Sequence, residues 1–217
     1  MVSADLSRVV AIVPVRGLET AKTRLGEALD AEERRDLVAE LLERTIGAAH
    51  EAGLDVLVVS PDPEALAVAR AVGAAGVLQG DGDLNEGLDL ARARAASHGA
   101  SAILALAADL PAITAAAIAG VVRSGQRALQ ADRAIVVLAP DRHGRGTNAL
   151  LLSPPGAIDF SFGPDSRSRH LALAEAAGAV VVEVSDGPLE LDVDTVEDLV
   201  LAEPYLLWDG NARRPSG

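Results

Sequence analysis

Seven consecutive residues, Val9 to Val15, carry no polar side chain and empty directly into a loop bearing Arg16, Lys22 and Arg24. Such a run, bounded by turn signals, reads as a strand buried on both faces, which requires helices above and below it. The rest of the chain repeats the pattern. Strands are expected at 55–60, 77–79, 102–108, 134–139, 148–152 and 180–185. Helices are expected at 31–51, where Asp30 and Glu33 form a capping box, at 64–72, from Leu84 to about His98, at 114–124, at 166–177 and up to Ala202. The fold class that follows is α/β, a single-domain, doubly wound, mostly parallel sheet, with ligands gathering beyond the strand C-termini.

Composition narrows this further. Hydrophobic residues make up 49% of the chain and aromatics 2%, so Ala, Val, Leu and Ile must fill the core. At 217 residues one core is expected, with a loosely held N-terminus (1–8), one domain (9–210) and a frayed tail (211–217). Cysteine is absent, which excludes disulfides and thiolate metal sites. No leader or apolar run of membrane length is evident, and the expectation is a cytoplasmic protein with no membrane contact. The net charge of −13 argues against a nucleic-acid partner. A polyanionic ligand must then arrive with a metal or meet a locally basic pocket, for which the 16–24 loop is the candidate.

Lys22 is the only lysine among nineteen basic residues. A compact ammonium on a flexible stem suits a phosphate tail, although one lysine in a solvated loop is also what chance gives. The loop is not a Walker loop, because Ala21 occupies the second glycine position, and no G-x-G-x-x-G follows the strand. Asp109 ends the apolar run 102–108, and Asp192 and Asp194 form a second acidic pair. Hard oxygen donors from two chain positions suit Mg²⁺, while Asp194 has the alternative of capping the last helix. Gly144 to Asn148 and Phe162 to Ser166 offer amides and hydroxyls to a small phosphorylated acid, or are only turns. His143 and His170 read as solvated. Neither a serine elbow nor a metalloprotease spacing is present.

Six motifs in order, P-V-R-x(5)-K-T-R-L, L-N-x-G-L, A-D-L-P, G-T-N-A-L, F-G-x-x-S-x-x-x-H and L-D-V-D-T-x-E-D-L, span nearly the whole chain. Together they resemble the 2-phospho-L-lactate/phosphoenolpyruvate guanylyltransferase family of coenzyme F420 biosynthesis, nucleotidyltransferases with a glycosyltransferase-A-like fold. Arg16 departs from the P-V-K more usual there. The resemblance implies that Pro14, Val15, Arg16, Lys22, Arg24 and Asn85 serve GTP, with Lys22 and Asp109 catalytic. It implies Mg²⁺ on Asp109, Asp192 and Asp194, and the phosphorylated acid on Thr147, Gly163 and Ser166. The implied reaction joins GMP to phosphoenolpyruvate, 2-phospho-L-lactate or 3-phosphoglycerate, and a downstream transferase consumes the product. Rival readings are a molybdopterin guanylyltransferase or a cytidylyltransferase, whose glycine-rich first loop is absent here, and a nucleotide-binding protein without catalysis.

Overall fold

A computed structural model describes residues 4–18, 21–130, 132–185 and 187–207. Its elements follow in the order β1 (Val9–Pro14), α1 (Ala31–Glu51), β2 (Asp55–Ser60), α2 (Pro63–Ala71), β3 (Ala75–Leu78), α3 (Leu84–Ser97), β4 (Ala102–Leu106), α4 (Ala115–Arg127), β5 (Ile135–Pro140), β6 (Thr147–Ser153), α5 (Ser166–Ala176), β7 (Val180–Glu183), α6 (Gly187–Glu190) and α7 (Val196–Ala202). The seven strands form one sheet in the order β3-β2-β1-β4-β6-β5-β7. All neighbours are parallel except β6, which runs against both β4 and β5.

The two-residue period of the strands divides the core. Ala11, Val13, Val58, Leu104 and Leu151 face α1, α2 and α4, where Leu42, Ile46, Leu66 and Ile118 meet them. Val10, Ile12, Ile103, Ala105 and Leu150 face the other way, onto Leu88 and Ala91 of α3 and Ala174 of α5. A third cluster concerns the site. Leu25 and Leu29 of the first loop pack with Leu37 and Leu41 of α1 and with Val193, Leu199 and Ala202. This cluster pins the cationic loop against the chain that carries Asp192 and Asp194.

Several boundaries differ from the sequence reading. The 102–108 strand ends at Leu106; Ala107 N–H still bonds the Asn148 carbonyl (2.9 Å), after which the chain turns toward Asp109 in the cleft. Helix α4 continues to Arg127, because Gly125 is buried against the sheet rather than ending the helix. Residues 4–8, expected to be loose, are anchored: Leu6 is buried, and the Asp5 amide and carbonyl both bond the Ser153 hydroxyl (2.9 and 2.7 Å). The expected tail, 211–217, lies outside the described residues, as do 1–3. Among the described residues no helix is long and apolar enough to cross a membrane.

Candidate active site

Strand direction decides what meets at the rim. The C-terminal ends of β1 and β4 deliver the 15–25 loop and Asp109, and β6, running the opposite way, begins at the same rim with Thr147 and Asn148. Lys22 adopts a left-handed backbone (φ 57°, ψ 33°) ahead of a 3₁₀ turn over Thr23–Leu25. That conformation costs a residue with a side chain about 1–2 kcal/mol. Complete burial of Leu25 in the third cluster holds the turn in place.

The Lys22 ammonium donates to Asp109 and to Asp194, the latter at 2.8 Å. The Val193 N–H donates to the Asp109 carbonyl (3.2 Å) and docks the 192–194 segment on the end of β4. One oxygen from each of Asp109, Asp192 and Asp194 lies within 4.8 Å of the others. Burial alone would lower the Lys22 pKa, but the two carboxylates outweigh it and hold the ammonium above its ordinary range. Asp192 shows the opposite balance. Burial, then repulsion from Asp109 and Asp194, pushes its carboxyl up to about 6, although the Asn148 amide donates to it (3.4 Å). Three converging carboxylates with one ammonium between them fit a hard divalent cation.

Asp194 does not cap α7. Thr195 does, with its hydroxyl accepting from Asp198 N–H in a capping box. Asp194 is thereby left facing Lys22. Asp198, which the sequence reading passed over, is buried and accepts from the amides of Thr195 (2.8 Å) and Asp194 (3.1 Å), from the Thr195 hydroxyl (2.9 Å) and from Arg142. It ties the acidic segment to the 141–147 loop. These bonds overcome the effect of burial and hold its carboxyl below the usual range.

A cleft of about 840 Å³ opens over this rim. Pro14, Val15, Arg16, Lys22, Arg24, Asp109, Thr147, Gly163, Ser166, Asp192 and Asp194 all line it. Asn85, the remaining expected residue, does not. Its side-chain amide bonds both backbone groups of Phe162, accepting from N–H (2.8 Å) and donating to C=O (3.3 Å), so it steadies the loop that presents Gly163. Gly163 has φ 121°, a backbone region that favours glycine. A second recess of about 220 Å³ lies beside Pro14, Val15, Arg16 and Leu84.

The histidine expectation holds for one residue and fails for the other. His143 is exposed. His170 is fully buried beneath the cleft, with Nδ1 3.1 Å from the Thr147 hydroxyl and Nε2 accepting from Ser161 N–H at 3.0 Å. Its helical position suggested solvent, but α5 turns that face inward onto Phe162, whose ring meets the imidazole edge-on at 4.8 Å.

A mostly parallel sheet with a basic loop and three convergent carboxylates at one rim is equipped to hold a metal-bound polyphosphate, as a nucleotidyltransferase must. Residues 9–212 match the model of the guanylyl transferase CofC-like family, and the chain belongs to that family. A phosphoenolpyruvate guanylyltransferase of Rubrobacter xylanophilus is 46% identical over 197 residues, covering 90% of this chain and 93% of its own. Another, from Sphaerobacter thermophilus, is 45% identical over 192 residues, covering 88% and 90%. Among solved structures, a candidate nucleotide-diphospho-sugar transferase from Desulfovibrio desulfuricans G20 superposes with a TM-score of 0.72 at 18% identity, over 95% of this chain and 89% of that one.

Proposed function

We propose that the protein transfers GMP from GTP to phosphoenolpyruvate, releasing pyrophosphate and giving enolpyruvoyl-2-diphospho-5'-guanosine for coenzyme F420 biosynthesis. The observation that carries this is one cleft lined by Lys22 and the Asp109–Asp192–Asp194 trio together with the Thr147–Ser166 hydroxyl pair. A triphosphate and a small phosphorylated acid would meet there. The names of the relatives, at 46% and 45% identity, favour phosphoenolpyruvate over 2-phospho-L-lactate or 3-phosphoglycerate.

A phosphate oxygen of the acid attacks the α-phosphorus of GTP, a new P–O–P bond forms, and the bond to the β-phosphate breaks. The nucleophile is already an anion near neutral pH, so no side chain need act as general base. Asp109, Asp192 and Asp194 would hold Mg²⁺, which supplies charge neutralisation at the crowded phosphates. Lys22, with Arg16 and Arg24 on the same loop, would draw the triphosphate in and offset charge as pyrophosphate leaves. Thr147, Gly163 and Ser166 would hold the acid in line. The recess beside Val15 and Leu84 offers room for the base, and Asn85, through its clasp on Phe162, would join the nucleotide side to the loop that presents Gly163. The reaction belongs in the cytoplasm, and a downstream transferase would consume the product.

The test is pyrophosphate release with Mg²⁺ and GTP, offering phosphoenolpyruvate, 2-phospho-L-lactate and 3-phosphoglycerate in parallel, with ATP and CTP as nucleotide controls. A transferase that consumes the product is included to prevent stalling. Turnover with GTP and phosphoenolpyruvate is expected. Turnover only with another acid would reassign the substrate, and binding of GTP without turnover would indicate a binding protein.

A further inference from the structure

The Thr147–Ser166 pair sits on a buried imidazole that the reaction above does not use. The Ser166 hydroxyl donates to Thr147 Oγ1 (3.2 Å), and His170 Nδ1 approaches the same oxygen at 3.1 Å. On the far side of the ring, Nε2 receives the Ser161 N–H at 3.0 Å. A backbone N–H can only donate, so Nε2 must be the bare nitrogen and Nδ1 must carry the proton. Nδ1–H therefore donates to Thr147.

The consequence is a count of protons. Two hydroxyls hold two protons, and one is used between Thr147 and Ser166. With Nδ1–H donating to Thr147, the second proton is free to point into the cleft. In the opposite tautomer Nδ1 would take the Thr147 proton, the Ser166 proton would go to Thr147, and nothing would remain for a ligand. Ser161 N–H would then also face a second donor.

We propose that His170 is a positioning residue that, through its Ser161-fixed tautomer, keeps the Thr147–Ser166 pair a hydrogen-bond donor toward the anionic acid substrate. This rests on the reading that those hydroxyls hold the phosphorylated acid. Burial, followed by the neighbouring Arg169, lowers the pKa of the ring to about 4, so it stays neutral at working pH and the tautomer question has one answer.

Two substitutions separate the two ring nitrogens. The His170→Asn amide can reach the Nδ1 position and still donate to Thr147. The His170→Gln amide reaches the Nε2 position, where it satisfies Ser161 but leaves Thr147 Oγ1 with no partner at the Nδ1 position, so that the free hydroxyl proton is no longer held toward the cleft. In H170Q the KM for phosphoenolpyruvate is expected to rise about tenfold, the loss of one hydrogen bond to a charged group, with the KM for GTP little changed. H170N should restore most of that loss. Equal damage in both variants, or a KM for GTP that rises in step, would reduce His170 to a packing residue and overturn the proposal. Independently, ¹⁵N NMR of the imidazoles, with the His170 signal identified by its loss in H170N, should show Nδ1 protonated and Nε2 bare. An Nε2-protonated ring overturns the proposal with turnover intact. A folded wild-type protein that turns over none of the acids would instead remove the acid-binding reading beneath it.

Discussion

Lys22 and the proposed divalent cation would be rivals for the same oxygens. The ammonium bridges Asp109 and Asp194, two of the three carboxylates that converge within 4.8 Å. Lys22→Ala should therefore separate binding from chemistry. Mn²⁺ titrated into the variant, followed by electron paramagnetic resonance, should bind as tightly as in wild type or tighter, while kcat/KM falls about 100-fold or more. Weaker metal binding would mean that Lys22 supports the site rather than competing for it. His170 offers a second test at this scale, through stability. Its pKa, about 4 in the fold against 6.5 without it, means the unfolded chain takes up a proton that the folded chain refuses between those values. Stability is thus fully present above pH 6.5 and drains away as pH falls toward 4, by about 1.4 kcal/mol per pH unit. The difference in urea midpoint between wild type and His170→Asn should shrink over that window and stay constant above it.

Helix α4 shows where a local preference yields to packing. Alanine is the better helix former by about 1 kcal/mol, so Gly125→Ala would help on an exposed face. Here an added Cβ would lie 2.8 Å from Leu151 Cδ2 and 3.1 Å from Leu6 Cδ1, both in the buried core. The substitution should destabilise by about 1–3 kcal/mol in chemical denaturation, and unchanged or raised stability would show that the sheet can give way. The same contact explains why α4 outran its expected end, since nothing local marks Gly125 as a packing residue. The apolar runs of β1, β4 and β5 and the capping box of α1 were legible because each is a local pattern. The reversal of β6 was legible in principle too: the stretch between Pro140 and Thr147 is too short for a parallel crossover, which needs a dozen residues or more. Asp198 and His170 were not legible. Their partners Arg142 and Thr147 lie 56 and 23 residues away, and only the folded sheet brings them together.

For the molecule as a whole, metal and nucleotide should act as one ligand. GTP with Mg²⁺ at about 100 times its dissociation constant would add about 2.7 kcal/mol of stability. In a domain of this size that raises Tm by about 5–10 °C. GTP with a chelator should give a smaller shift, and Asp109→Asn should lose the metal-dependent part; an undiminished shift in that variant would remove Asp109 from the ligand set. The reversed strand has a last consequence, which concerns inheritance. Because β6 enters the rim from its own N-terminal end, the residues proposed to face the acid, Thr147, Gly163 and Ser166, follow residue 140, whereas Arg16, Lys22, Arg24 and Asn85 all precede residue 110. On that proposal, the taste for one acid over another would be written in a stretch of gene separate from the one that reads the nucleotide. A lineage could then exchange its acceptor by changes within that later stretch, with the Asn85–Phe162 clasp as the joint that both stretches must keep.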